Sequence, residues 1–394
     1  MQIYRTEVIT QLSDIDADDW HKLRDANGYQ AGNVFLSHNW LNAMQIHGCV
    51  DNRSIRNTGW QPEFIVLKDE DGKLAAACPL YRKFHSYGEY VFDWAWANAY
   101  EQHGLKYYPK LLSAIPFTPV CGQRLLATDA QARAALTEAV MAHATRSKVS
   151  SVHVLLPHIG EQAVLESAHL MPRKGVQFHW LNQDASGKAF SDMDAFLASL
   201  SQPKRKKIKA ERRKVAQSGV VLQRIYGTSI TKEDWSFFYS CYERTYLEHR
   251  SSPYLNEAFF QAVGESMPEA FILVKASFEG KPIAASLLMR DSDRLYGRYW
   301  GALAHVPCLH FEACYYQTIE AAIELGLAVV EGGAQGEHKM ARGFVPTVTT
   351  SAHWLAEPAF ADAVQRFLER EGAGMDGYLD ELHERLPFKQ APVS

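Results

Sequence analysis

Cysteine is scarce: six in 394 residues, at 49, 78, 121, 241, 308 and 314, with no Cys-x-x-Cys pair. At that density in a chain this long, a disulfide framework is excluded. His305, Cys308, His310, Glu312 and Cys314 crowd together, but their spacing reproduces none of the usual zinc ligand pairs. No metal site is expected. Gly-x-Ser-x-Gly, the P-loop and Gly-x-Gly-x-x-Gly are all absent, which leaves triad hydrolase, nucleotide-triphosphatase and dinucleotide readings without support. No apolar run approaches the roughly 18 residues of a membrane span. The opening residues carry four acids by Asp18 and no apolar stretch of a secretory signal, so a cytoplasmic setting is the expectation. An excess of one charge is missing too: 41 Lys+Arg stand against 45 Asp+Glu, a formal charge of −4. DNA is not an expected partner, and any nucleic-acid contact must come from a local patch.

What is present is apolar content, 47% of residues, enough to bury a sizeable core. At roughly 100–200 residues per domain, the length suggests two or three domains. Asp71–Arg82 reads against Glu279–Arg290 with six of twelve positions identical, at an offset of 208 residues. Each copy follows an apolar run, Phe64–Lys68 and Phe271–Lys275, and an acid-Gly-Lys turn between apolar segments marks a β-hairpin. A helix over Gln131–Arg146 and a strand at Ser151–Leu156 parallel a helix over Glu312–Leu325 and a strand at Ala328–Glu331. The first half opens with a helix from Ser13 to Asn27-Gly28, with Asp16 at its third position. The counterpart is Lys232–Leu247, entered from Thr231. Gln177–Trp180 is strand-like, Asn182–Gly187 is polar punctuation, and a new helical pattern starts at Asp192. The chain reads as a tandem duplication, with domains at 1–185 and 186–394.

Three segments hold chemistry-bearing residues. Tyr90–Pro109 sets Trp94, Trp96, Tyr100, Tyr107 and Tyr108 beside Asp93, Glu101, His103 and Lys106, a mixture that suits either a ligand cleft or a packed strand and loop. Asp93, between large aromatics, is expected to have a raised pKa and to be a candidate base. In 204–214, eight of eleven residues are basic, interrupted by Glu211. The basic helix 203–217 is expected to bind phosphate through Lys204, Arg205, Lys206, Lys207, Arg212 and Arg213, with tRNA, a nucleotide sugar, a pyrophosphate or an acidic lipid surface as partner classes. In the third segment, Arg298–Gly301 ends a strand and His310 opens a helix. Glu331-Gly-Gly-Ala-Gln-Gly336 then brings backbone amides close to a ligand. Glu337, His338, Lys339 and Arg342 supply a base, a proton shuttle and two cations within six positions.

Tyr81–Trp96, Ile115–Leu126 and His338–Pro346 resemble the bacterial FemAB-like proteins, in the peptidoglycan biosynthesis or recognition branch of the GNAT superfamily. The resemblance covers nearly the whole chain. It implies an α/β (α+β) fold of two tandem GNAT-like (acyl-CoA N-acyltransferase) domains, each a mixed central sheet flanked by helices. It implies an N-acyltransferase that moves an acyl or aminoacyl group to the amine of a small molecule, a peptide or a peptidoglycan precursor. The alternative is a non-catalytic module recognising a cell-wall precursor or a partner protein. No permanently bound cofactor is implied, and the co-substrate is acyl-CoA or aminoacyl-tRNA. The Gln/Arg-x-x-Gly-x-Gly/Ala loop of coenzyme A users is missing, since Ala304–His310 has no glycine and Thr118–Arg124 has one. Lys339 with Gly343-Phe344 matches a Lys and Gly-aromatic pattern of Fem members, whereas no insert for a tRNA-arm coiled coil fits between Asp192 and Thr231. Glu337, His338 and Lys339 are the expected catalytic residues, with Asp93 and Glu312 as alternative bases. Trp94, Trp96, Tyr100, His103, Tyr299, Trp300, His310, Gln335 and Arg342 are the expected substrate contacts.

Overall fold

The structure, a computed structural model, describes residues 3–26, 28, 32–50, 58–333 and 336–389. The chain forms two compact units, Met1–Gly175 with Val348–Tyr378, and Val176–Thr347 with Leu379–Ser394. The units divide at Gly175/Val176 rather than at 185/186, and residues 348–378 join the first unit. The reason is a strand pairing distant in sequence, described below.

In the first unit the chain runs β1 (Arg5–Ile9), α1 (Ala17–Asp25), α2 (His38–Ile46), β2 (Trp60–Pro62), β3 (Phe64–Lys68), β4 (Leu74–Cys78) and β5 (Leu80–Lys83). It continues α3 (Trp94–Gln102), β6 (Lys110–Ser113), β7 (Leu126–Ala127), α4 (Ala130–Ser147), β8 (Ser151–Leu155), α5 (Gln162–Ser167) and the start of β9 (Met171–Leu181). Asp16 is the N-cap of α1, accepting from the Asp18 and Asp19 amides, so that helix starts later than Ser13. Asp129 caps α4 in the same way, and Leu136, Val140 and Ala144 of α4 pack into the core. The expected hairpin is β3–β4, closed at Asp69–Gly72, where Gly72 takes φ +80°. Pro79 lacks an N–H and divides the second hairpin strand: β4 pairs with β3, while β5 pairs with β2 and β6.

The second unit continues from β9 through α6 (Met193–Ser199), α7 (Gln202–Gln217), β10 (Val220–Tyr226), α8 (Lys232–Glu248), α9 (Glu257–Ser266), β11 (Phe271–Phe278), β12 (Lys281–Arg290) and β13 (Arg294–Ala302). A helix in three pieces follows: α10 (Leu309–Phe311), a π-helical turn (Glu312–Tyr316) and α11 (Gln317–Glu324). Then come β14 (Val329–Glu331), a 3-10 turn (Glu337–Arg342), β15 (Val345–Leu355) and α12 (Pro358–Glu384). Thr231 and Asp234 form a reciprocal capping box at the start of α8. A Cβ at Gly301 of β13 would lie 1.8 Å from the Cys241 carbonyl oxygen, so only glycine lets α8 press this closely on the sheet.

Strand order in the second unit is β10-β11-β12-β13-β14-β9, antiparallel except for the parallel pair β13/β14. The first unit has β1-β3-β4-β7, and separately β15-β8-β6-β5-β2 with β6/β8 as its parallel pair. Ser351–Leu355 of β15 pair with Ser151–Leu155, which is why residues near 350 belong to the first unit. Both units repeat one scheme: a strand, two helices, an antiparallel hairpin, and a parallel pair joined through a helix. The architecture is thus a tandem repeat of one mixed α/β unit.

Candidate active site

In the second unit the parallel pair is short. Arg294–Tyr296 face Val329–Glu331, then β13 runs on to Ala302 while the other chain leaves at Gly332. Arg298 is the extra residue of a bulge, because Leu287 pairs with Tyr299 and Leu288 with Gly297. Beyond Tyr296 the β13 edge that faced β14 has no strand partner among the described residues, so a fork opens there with backbone amides along one arm. Such forks are where a ligand can take up backbone hydrogen bonds.

Glu331 sits at the crotch of this fork. It is 3% exposed. Its Oε1 accepts from Arg294 Nη1 at 2.9 Å, and its Oε2 has no partner among the described residues. Burial raises the carboxyl to about 7 against the opposing pull of Arg294. Opposite it on β9 is His179, kept neutral by burial and by Arg294 and Lys339, at about 3. Lys339 is also buried and donates to the Gly333 carbonyl at 2.9 Å. Burial, then the Arg298 charge, lower its ammonium to about 8. Arg298 Nε is itself buried without a partner among the described residues.

The other expected residues of this unit are placed as follows. His338 is exposed and shares a 3.0 Å hydrogen bond with the Tyr315 hydroxyl; burial of part of its ring, Arg342 and Lys339 lower its pKa. Gln335 lies outside the described residues, as does the side chain of Glu337. Arg342 is 2% exposed, lies 3.6 Å over the Phe311 ring and donates from Nη2 to both oxygens of Glu211 at 3.0 Å. Tyr316 also donates to Glu211. This buried cluster ties α7 to the 3-10 turn that carries Lys339, so Arg342 positions the turn instead of meeting solvent. Glu312 accepts from Arg212 through both oxygens, at 3.1 and 3.2 Å, and Arg212 also reaches Glu320 at 2.7 Å. That pairing corrects two expectations at once: Glu312 is engaged as a counter-ion, and Arg212 is not available to phosphate. Tyr299 packs among Phe238, Tyr242 and Phe260. Trp300 and His310 are half-buried in ring contact at 5.5 Å, and burial holds His310 at about 4.

The basic helix is α7, bedded on Ile208, Glu211 and Val215. Lys206, Lys207, Arg213 and Lys214 are exposed, and Lys204 and Arg205 are half-buried. The exposed cations fall on one side of the helix at 3.6 residues per turn.

In the first unit, Asp93 has the opposite electrostatics from those expected. Burial alone would raise its carboxyl, but Lys110, bonded to it, and His153 hold it well below the usual range. Tyr107 donates to Asp93 at 2.6 Å. A carboxylate so stabilised is a weak base. Trp96 and Tyr100 belong to a core cluster with Leu355, Val364 and Leu368. His103 is exposed, and Trp94 is half-exposed beside Tyr87. A cavity of about 210 Å3, lined by residues including Lys232, Trp235, Gln261 and Glu265, contains none of these residues. No group of three or more His, Cys, Asp or Glu that could hold a metal occurs among the described residues, and none of their helices is long and apolar enough to cross a membrane.

The sequence matches the FemAB-like family, described as peptidoglycan biosynthesis/recognition, over residues 11–390. The chain belongs to the FemAB-like family. That membership supports acyl or aminoacyl transfer in cell-wall biosynthesis. No curated protein matches the sequence. The FemAB-like chain is similar in fold to the crystal structure of FemX: 11% identity, 89% of this chain and 98% of that chain covered, TM-score 0.53. It is also similar to the C-terminal domain of a protein described as a lysylphosphatidylglycerol synthetase from Agrobacterium fabrum, with 9% identity, 89% and 96% coverage, and TM-score 0.53. L-PGS from Bacillus licheniformis aligns with 10% identity, 88% and 96% coverage, and TM-score 0.51. At these identities the likeness establishes the fold.

Glu331, His179 and Arg298 are the residues of the fork that the sequence reading missed. A signal existed for the first: an apolar strand that ends on an acid directly before Gly332-Gly333.

Proposed function

We propose that the second unit carries the transfer chemistry of this FemAB-like protein, joining an activated acyl or aminoacyl group to an amine of a peptide or peptidoglycan precursor. Glu331 is the base. Its unpartnered Oε2, on a carboxyl raised to about 7, is the observation that carries the assignment. Glu331 removes a proton from the acceptor ammonium, and the freed nitrogen attacks the carbonyl carbon of a thioester or ester. The oxyanion meets backbone N–H groups on the edge of β13 beyond Tyr296. As the C–S or C–O bond breaks, Lys339 gives its proton to the leaving sulfur or oxygen and regains one from the nitrogen. The donor is acyl-CoA or aminoacyl-tRNA, both bearing phosphate, and the exposed cations of α7 are the surface suited to it.

The test is single-turnover transfer from each donor in turn to an amine-bearing peptide. Glu331→Gln is expected to slow transfer by about 10²–10⁴-fold with donor binding retained. Equal rates in the variant and the parent would remove Glu331 from the mechanism.

A further inference from the structure

The fork of the second unit gathers more positive charge than its own carboxyls answer. Arg294, Arg298 and Lys339 stand around Glu331, and Arg294 is already bonded to it at 2.9 Å. The next acid, Asp291, accepts from the Tyr296 hydroxyl at 2.6 Å and from the Asp293 and Arg294 amides at 2.9 and 2.7 Å. Arg298 is different. Among the described residues its buried Nε has no hydrogen-bond partner and no carboxylate pairs with its guanidinium. The bulge in β13 sets where this side chain goes. A Cβ on Gly333 would lie 4.0 Å from Arg298 Nη1, so the guanidinium reaches from β13 to the outgoing arm of the fork. Lys339 lies along the same arm: a Cβ on Gly332 would stand 3.4 Å from its Cε, and the Gly333 carbonyl accepts from its ammonium. A half-buried guanidinium without a counter-charge is costly in the free protein, and a ligand that brings an anion removes the cost.

That anion has to fit beside the reacting atoms. Coenzyme A keeps its phosphates a full pantetheine arm from the thioester, away from the crotch of the fork. What must come within reach of Glu331 Oε2 is the acceptor ammonium, and a carboxylate on the same carbon arrives with it. A planar carboxylate matches a planar guanidinium through paired N–H···O bonds. The fork thus offers an acid to an ammonium and a guanidinium to a carboxylate, the two charges that an α-amino acid carries side by side.

We infer that the reacting amine of the acceptor lies on a carbon that also bears a free carboxylate, and that Arg298 binds this carboxylate and so selects which amine is acylated. The inference rests on the placement of transfer at this fork and names the kind of amine used there. The nitrogen takes the acyl group and the carboxylate leaves unchanged. Three acceptors of nearly one size form the test. Nε-acetyl-lysine has its free amine next to a carboxylate, Nε-acetyl-lysinamide has the same amine next to a neutral amide, and Nα-acetyl-lysine has its free amine far from the carboxylate. Each is titrated onto the full chain by calorimetry and assayed with acetyl-CoA and with aminoacyl-tRNA. Nε-acetyl-lysine should bind about 10–100-fold more tightly than its amide, with kcat/KM higher in proportion. Arg298→Gln should bring that ratio toward one, chiefly through KM, and Arg298→Lys should restore part of it. Equal binding of Nε-acetyl-lysine and its amide, preference for Nα-acetyl-lysine, no binding at millimolar acceptor, or a ratio that survives Arg298→Gln overturns the inference. A variant that loses affinity only for the donor also overturns it, since Arg298 then serves a donor phosphate. The binding ratio is read without turnover, so it is decided separately from the role of Glu331, which the transfer rate of Glu331→Gln decides.

Discussion

At the end of the parallel strand pair, the second unit sets Glu331 opposite Tyr296, and the first sets Val154 opposite Ser113. Beyond that point the two copies diverge further. In the second unit, among the described residues, neither the β13 edge beyond Tyr296 nor Glu331 Oε2 has a partner. In the first, the outgoing end of β8 is met by its own chain: Gly122 bridges to Pro157 and bonds the Leu156 carbonyl, and the Arg124 guanidinium donates to the carbonyls of Leu155, Gly122, Gln123 and Val120. The Glu161 carboxylate accepts the Arg124 and Leu125 amides, a position an anionic ligand would otherwise take. Ionisable groups are abundant in both copies. In the first, Asp93 and Glu89 share the Lys110 ammonium and Lys83 lies 3.9 Å from Glu89, so the two groups that burial brings to about 7 there, Lys83 and Glu89, face each other's charges. In the second, one carboxyl and one ammonium are left under-satisfied, at about 7 and about 8, and those are the groups suited to move protons.

The largest effect should come from Glu331→Gln, which leaves the fork's shape and removes its base, costing about 10²–10⁴ in transfer rate. The parent's rate should rise as pH climbs through about 7, where Glu331 loses its proton, and fall above about 8, where Lys339 loses the one it donates. A flat rate between pH 6 and 9 would break the contrast between the units. Asp93→Asn should appear instead as lost stability of about 3–5 kcal/mol in urea titration, because Lys110 is left buried with one fewer counter-charge. Glu161→Gln should cost about 1–3 kcal/mol, since amides that met a full negative charge then meet a neutral amide side chain. His153, held neutral by burial at about 3, contributes stability that is complete above its ordinary value of 6.5 and is lost as pH falls toward 3. Urea midpoints at pH 7 and 4.5 should therefore differ, and His153→Gln should narrow the gap. The smallest effect is expected from Lys206→Ala with Lys207→Ala: stability within about 0.5 kcal/mol of the parent. The slope of tRNA affinity against salt should fall by about one to two if tRNA is the donor.

Much of the frame was legible in the residues. The acid-Gly-Lys turns gave both hairpins, Thr231 gave the start of α8, and Asp192 that of α6, because turns and caps are bonds between close neighbours. The splitting of one hairpin strand at Pro79, where the other copy has Leu287, was also open to a reader of the repeat. The candidate site was legible only as a neighbourhood. Lys339 falls beside the fork, whereas Glu312 is engaged by Arg212 a hundred residues earlier, a pairing no local pattern announces. The aromatic run 90–109 divided, with Trp96, Tyr100 and Tyr107 in the core and Tyr90 and Phe92 turned outward.

The order of residues by itself determined where helices begin, where the chain turns, and that one scheme of strands and helices was written twice, since all of these depend on interactions spanning a few positions. Only the tertiary structure decided which carboxyl would be strong and which weak. Asp93 met Lys110 and two further donors, whereas Glu331 met burial and the single Arg294 guanidinium, and the acidity of a buried group is set by what distant parts of the chain bring within a few ångströms of it.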